Sequence, residues 1–329
     1  MNNIIEIPKI GIKGTILSWE VVNQDGSIDR ACYKPSCNMI LNSGLDMIAS
    51  QYDTIGAFLA LKYFAIGTGV ALPVETDTTL GTESHREIAD YAPWDVDSYS
   101  VTGSDPYYVT RQRGVQTTFG LLNGTYTEIG FSPTVTANAT LFSKFRLVDE
   151  DGDPTSIAIS SIQQLRLKYT ITIELLPATP TVYTTTITGI AGDFTYTACW
   201  QKCSSFELVL SGISGTSSLY VNPQFSIRET AYTFLDIGTA VTFNTGNYKS
   251  NTYTTEAYVP GSYTVYKNIT YAVTDAVWVN KAISLYSNKY GGGAASDSLW
   301  VVAFDSGNYI DKPNTYILTL RFKFSWGRS

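Results

Sequence analysis

Histidine is almost missing from this chain, and the one that occurs, His85, sets the first limit on its chemistry. Any Ser-His-Asp or Cys-His nucleophile would have to run through that single imidazole. A metal site built from two histidines is excluded by count. The setting Thr82-Glu83-Ser84-His85-Arg86-Glu87 is polar and lacks a nucleophile elbow, so His85 is read as a surface or interface residue and no catalytic residue is assigned. Charge is scarce as well. Only 16% of the 329 residues are charged, with 22 Lys and Arg against 29 Asp and Glu, a formal net charge of −7. The basic residues are scattered, so no stripe exists to neutralise a phosphate backbone, and nucleic acid is not an expected partner. Long apolar runs are absent too. The longest, Gly56 to Gly67, is interrupted by Lys62 and is too short to span a bilayer as a helix. Met1 to Pro8 lacks the basic start and apolar core of a signal peptide, so synthesis in the cytoplasm without membrane insertion is expected.

Cysteine is sparse and falls in two pairs, Cys32/Cys37 and Cys199/Cys203, which superficially suggests a four-thiolate zinc site. The spacing argues against it. On a strand, Cys199 and Cys203 would lie about 13 Å apart, too far for one metal or one disulfide, so buried reduced thiols are expected. The run Asp149-Glu150-Asp151-Gly152-Asp153 could offer Asp149, Asp151 and Asp153 to Ca²⁺. An acidic hairpin turn needs only Gly152 and Pro154 and is the stronger reading, so no metal and no cofactor is assigned. Paired carboxylates for glycoside hydrolysis leave no short signature. The chain also has no β-helix repeat.

What the chain does have is hydrophobic residues at 44%, 23 tyrosines and abundant Thr and Ser, which supply polarity without charge. That mixture favours strands. Ile16 to Val22 reads as a strand entering the turn Asn23-Gln24-Asp25-Gly26, with Ser27 to Tyr33 as the return. Further strands are expected at 115–119, 126–131, 140–148 and 165–175, the last with alternating Leu165, Leu167, Tyr169, Ile171 and Ile173. One helix stands out: Asn42 or Ser43 can cap it, and Leu45, Ile48, Ala49 and Tyr52 fall at helical spacing. The acidic and aromatic stretch from Tyr91 to Tyr108 is expected to be a long surface loop. Pro177 to Thr181 reads as a linker. Strands are then expected at 183–188, 194–200, 206–210, 219–227, 263–273, 300–304 and 316–326, with no helix. The expected fold is therefore mainly β: two sandwich or jelly-roll domains, 1–178 and 179–329, with one short helix in the first. Both blocks end alike, in Leu165-Arg-Leu-Lys-Tyr-Thr-Ile and Leu320-Arg-Phe-Lys-Phe-Ser-Trp.

The order Ile40-Leu-Asn-Ser-Gly-Leu-Asp46, then Ile66-Gly67-Thr68-Gly69, Pro73, Asp77, Leu80, Glu83 and Arg86, then Tyr126 to Phe131 and Leu141 to Phe145, resembles a module of tailed-bacteriophage virion structural proteins. It covers residues 36 to 175, and the ending Phe324-Ser-Trp-Gly-Arg328 is also similar to endings seen in such proteins. The resemblance implies a short helix ahead of the Ile-Gly-Thr-Gly strand and a non-enzymatic tail or neck protein: a collar, sleeve or fibre-attachment component of the virion, made in the host bacterium. Its partners would be other virion proteins and further copies of itself. The expected interface residues are Gly67, Gly69, Glu83, Arg86, Trp94, Tyr107 and Tyr108, because Tyr and Trp are enriched where proteins meet. The alternatives are a carbohydrate-binding module that stacks host surface glycans on Trp94 and its neighbouring tyrosines, or a head decoration protein.

Overall fold

The computed structural model describes residues 4–7, 9–50, 61–89, 91–99, 107–176, 180–185, 194–200, 223–228, 248–251, 254–274, 276, 279–287, 297–304, 309–311, 315 and 317–329. Strands dominate it. The first half contains β1 (Ile4–Glu6), β2 (Ile10–Asn23), β3 (Ile28–Cys32), β4 (Ser36–Ile40), the helix α1 (Asn42–Ser50), β5 (Tyr63–Gly67), β6 (Glu83–Ile88), β7 (Val96–Tyr99), β8 (Tyr107–Gln116), β9 (Gly124–Tyr126), β10 (Glu128–Ser132), β11 (Ser143–Arg146), β12 (Ile157–Ile159) and β13 (Gln163–Leu175). The second half contains β14 (Thr181–Thr185), β15 (Phe194–Trp200), β16 (Pro223–Arg228), β17 (Tyr248–Asn251), β18 (Thr254–Thr255), β19 (Thr264–Tyr271), β20 (Val279–Asn280), β21 (Ala282–Ser287), β22 (Asp297–Phe304), β23 (Ile310–Asp311) and β24 (Leu318–Arg328).

The fourteen-residue strand β2 organises the larger sheet. One edge pairs with β13 from Gly11 to Asn23, and β13 in turn pairs with β8. The other edge changes partner along its length: Ile10–Ile12 meet β24, Gly14–Ile16 meet β4, and Trp19–Val22 meet β3. From β4 the sheet continues through β11, β10 and β5 to β6. This fourteen-stranded sheet therefore curls back, and β10 comes to face β13, with the Phe131 and Tyr169 rings stacked at 4.3 Å. Alternation puts Leu165, Leu167, Tyr169, Ile171 and Ile173 on the buried face, where they join Ile12, Ile16, Phe64, Ile66, Ile129 and Phe145. Polar groups that enter the core find partners there: Asn38 Nδ2 donates to Ser143 Oγ at 3.0 Å, although the Asn38 Oδ1 accepts from nothing among the described residues.

The mainly β architecture, the β2–β3 hairpin and the single early helix match the sequence expectations. Several details differ. Both candidate caps of α1 serve other partners: Ser43 Oγ donates to the Leu141 carbonyl at 2.8 Å, and Asn42 Oδ1 accepts from Arg328 Nη2 at 2.7 Å. Tyr52 lies outside the described residues, as does the strand expected at 206–210. The stretch from Tyr91 to Tyr108 is not one surface loop. It holds a short 3-10 turn, Ala92–Trp94, and the strand β7, which pairs antiparallel with Val109–Gln112 of β8. Tyr107 and Val109 alternate inward and are buried, which draws the end of this stretch into the sheet, while Tyr108 faces outward.

The expected division at 178 does not separate the sheets. Strands β14, β15, β22, β21, β16 and β17 form a six-stranded sheet of their own, but β19 and β24 belong to the larger one. The similar endings noted in the sequence have a structural counterpart here. β13 and β24 both pair with Ile12 of β2, one on each edge, so the chain's last strand completes the sheet begun by its first.

Candidate functional site

The residues of the Ile-Gly-Thr-Gly stretch build a flap, residues 68–82, that folds back over the outer face of β10, β11 and β5. On that face Leu80 packs with Leu41, Ala65 and Leu141 in a small second core. Backbone hydrogen bonds tack the flap along its length: Thr68 N to Thr82 O at 2.9 Å, Asn42 N to Glu75 O at 2.8 Å, and Leu141 N to Thr78 O at 2.8 Å.

At the base of the flap sits Glu128, the first residue of β10, which is almost wholly buried. Its Oε1 accepts from Gly69 N at 2.8 Å and Thr82 N at 2.9 Å, and its Oε2 accepts from Gly81 N at 3.0 Å. Lys144 Nζ lies 3.5 Å from Glu128 Oε2 and donates to Asp77 Oδ2 at 3.1 Å, which ties the carboxylate to the middle of the flap. Burial alone pushes the Glu128 carboxyl up. The three N–H donors and the Lys144 ammonium outweigh it, and the net direction is down, so the group is held as the anion.

This clasp explains two of the glycines. A Cβ on Gly69 would stand 2.3 Å from Glu128 Oε1, and one on Gly67 would stand 2.3 Å from the Thr82 carbonyl oxygen. The flap and the carboxylate can approach only because residues 67 and 69 have no side chain.

A second clamp lies at the flap's exit. Arg86 reaches Glu83 in a fork, Nε to Oε1 at 2.9 Å and Nη2 to Oε2 at 2.7 Å, and both side chains are nearly excluded from solvent. The rest of the guanidinium donates to the carbonyls of Thr134 and Ala139 at 3.0 and 3.1 Å, which pins the 133–140 connection to β6. A third clamp comes from the other end of the chain. Arg328 on β24 bonds the Ile40 carbonyl through Nε at 2.6 Å and pairs with Glu75 Oε2 at 3.0 Å. Beside it, Asp46 on α1 accepts from Tyr258 Oη at 2.6 Å and Gly261 N at 2.7 Å, and Trp326 Nε1 donates to the Leu45 carbonyl at 2.8 Å.

No protein-family model matches this chain, and no curated protein or solved structure is detectably similar to it.

Of the residues expected at an interface, Gly67, Gly69, Glu83 and Arg86 come together here, and their chemistry is spent within the chain. Trp94 lies elsewhere, on the outer face of β8 and β13. Tyr91 packs edge-on against it at 5.0 Å, Lys168 Nζ sits 4.5 Å from its ring, and its carbonyl accepts from Gln112 Nε2 at 2.6 Å. Tyr107 is a core residue of β8, which removes it from any contact surface, and Tyr108 remains exposed. His85 on β6 packs edge-on against Tyr126 at 6.3 Å.

The calcium candidates close on themselves. Asp149 Oδ1 accepts from the N–H groups of Asp151, Gly152 and Asp153, each at 3.0 Å. Glu150 Oε1 accepts from Tyr33 N, and Lys34 Nζ donates to the Asp151 carbonyl. Among the described residues, no group of three His, Cys, Asp or Glu side chains converges as metal ligands. Cys32 is a buried free thiol and Cys37 an exposed one, Cys199 is buried, and Cys203 lies outside the described residues.

Sequence reasoning missed Glu128 and Lys144 as the centre of the arrangement. Both lay inside quoted motifs. The available signal was a carboxylate opening the otherwise largely apolar strand Glu128–Ser132, followed sixteen residues later by a lysine flanked by Phe142 and Phe145.

Proposed function

We propose that this chain is a non-enzymatic structural component of a tailed-phage virion, a tail or neck protein that assembles through protein contacts with neighbours and with further copies of itself. The observation that carries this reading is the use made of the motif residues. Gly67, Gly69, Asp77, Glu83, Arg86, Glu128 and Lys144 form clasps that fix a protruding flap, and the charges of Glu83, Arg86, Glu128 and Lys144 are buried and paired within the chain. A sequence that spends its buried charges on fixing one surface element makes that element rigid before any partner arrives, which lowers the ordering cost of association. Low overall charge supports the same reading, since burying unpaired charge at an interface is expensive.

Immunogold electron microscopy with antibody against the purified chain tests it on intact particles. Label confined to the tail vertex is the expected result. Label spread over the capsid would make it a head decoration protein, and no label on intact or disrupted particles would overturn the virion role.

A further inference from the structure

Three charged side chains from distant parts of the chain converge beneath the flap, and clasping it uses only part of their chemistry. Lys144 Nζ stands 3.1 Å from Asp77 Oδ2 and 3.5 Å from Glu128 Oε2, and the Lys144 and Glu128 side chains are only 4% and 1% exposed. Strand register sets Lys144 beside Met39 and Gly130, on the sheet face that Leu80 and Leu141 cover with apolar groups. A lysine amine so shielded from water, and touching a carboxyl group, is placed as a nucleophile as well as a cation.

The acceptor is equally well held. Asp77 N donates to the Val74 carbonyl at 3.0 Å, which closes a turn, and Val74 N donates to Asp77 Oδ2 at 3.2 Å. The oxygen that faces the lysine is therefore also polarised by a backbone N–H. Asp77 keeps a quarter of its side chain exposed, which leaves a way out for a small product. Glu128 cannot swing away, because its two oxygens accept from the amides of Gly69, Thr82 and Gly81. Burying three charges costs free energy that their pairing only partly returns. Joining Lys144 to Asp77 removes two of them and leaves Glu128 with its N–H donors.

We propose that Lys144 and Asp77 condense to an intramolecular isopeptide bond, with Glu128 carrying a proton between them. One proton of the Lys144 ammonium passes to the Asp77 carboxylate along their hydrogen bond, giving an amine and a carboxylic acid. The Nζ lone pair attacks Asp77 Cγ, and the new N–C bond forms as the C–OH bond breaks. Glu128 takes a second proton from Nζ and returns it to the departing hydroxyl, which leaves as water. The third proton stays on the amide nitrogen, nothing is oxidised or reduced, and no further reactant is needed. The bond makes the attachment of the flap to β11 covalent. It goes beyond the assembly reading above and does not depend on it.

Mass spectrometry of the full-length purified chain under denaturing conditions tests this. The intact mass is expected to fall short of the sequence mass by one water. Trypsin does not cut after an acylated lysine, so residues 63–86 and 114–146 should appear as one branched peptide. Lys144→Arg keeps the charge but cannot form the bond and should restore the full mass, as should Asp77→Ala. Glu128→Gln should reduce the branched peptide several-fold. Separate 63–86 and 114–144 peptides at full mass in the native chain would overturn the bond. Loss of water from the 63–86 peptide alone, the signature of a succinimide at Asp77, would overturn it as well. A Glu128→Gln chain that is folded by circular dichroism and still fully cross-linked would overturn the role given to Glu128. The native peptide map decides the bond itself even if a variant fails to fold.

Discussion

The Glu128 carboxylate and the Gly69 amide meet at 2.8 Å, at a point where a methyl group on residue 69 would occupy the carboxylate's own space. Each residue is therefore fixed by the other. Glu128→Ala strands the Lys144 ammonium with only Asp77 and leaves three flap N–H groups without an acceptor, so it should cost about 3–5 kcal/mol, the usual penalty for breaking a buried pair. Gly69→Ala keeps the charges but overpacks the site and should cost about 1–3 kcal/mol. Urea unfolding of the two variants against the native chain measures both.

Glu83 and Arg86 make the same argument at the flap's exit. Arg86→Lys retains the charge but loses the fork and cannot reach Glu83, Thr134 and Ala139 together. The 133–140 connection should then open, and limited proteolysis should cut there faster than in the native chain.

Two carboxyls should shape the pH dependence in opposite directions. Glu87 on β6 accepts an N–H from Thr118, but burial dominates and pushes its carboxyl up to about 7, and its Oε1 has no partner. The folded chain therefore holds this proton where the unfolded chain has released it. Stability from this group is present below the ordinary value of 4.5 and is lost as pH rises through about 7. Glu128, held low, contributes stability above the ordinary carboxylate range that is lost only as pH falls through its lowered value. The thermal midpoint of the native chain should drop between pH 5 and pH 8, and Glu87→Gln should reduce that drop.

The neighbouring tyrosines Tyr107 and Tyr108 should separate cleanly. Tyr107→Ala empties a core position and should cost about 3–5 kcal/mol, as large aromatic truncations do. Tyr108→Ala changes an exposed side chain and should stay within about 0.5 kcal/mol. Thermal denaturation followed by circular dichroism distinguishes them.

Local patterns were legible in the sequence where one face of a strand repeats every second residue. The alternation from Leu165 to Ile173 and the Asn23–Gly26 turn placed β13 and the β2–β3 hairpin. Sheet membership was not legible. The pairing of β24 with Ile10–Ile12 joins residues more than 300 positions apart, and nothing local records which strand edge a segment will meet. The motif glycines were recognised without their purpose, because a glycine required by close approach looks the same in sequence as one required by a turn. At Gly69 the reason lies in Glu128, 59 residues away. Tyr107 was misplaced for a related reason: Gly103-Ser-Asp-Pro106 signals a turn but does not mark how soon the next strand begins.

Hydrogen–deuterium exchange at the amides of Gly69, Gly81 and Thr82 tests the clasp most directly. These N–H groups lie in a surface flap, outside any strand or at its very edge, where exchange is ordinarily fast. If the buried Glu128 carboxylate holds them, they should exchange slowly in the native chain and at least tenfold faster in Glu128→Ala, with the amides of β13 unchanged. Fast exchange at all three positions in the native chain would contradict the clasp and the preordered flap that depends on it.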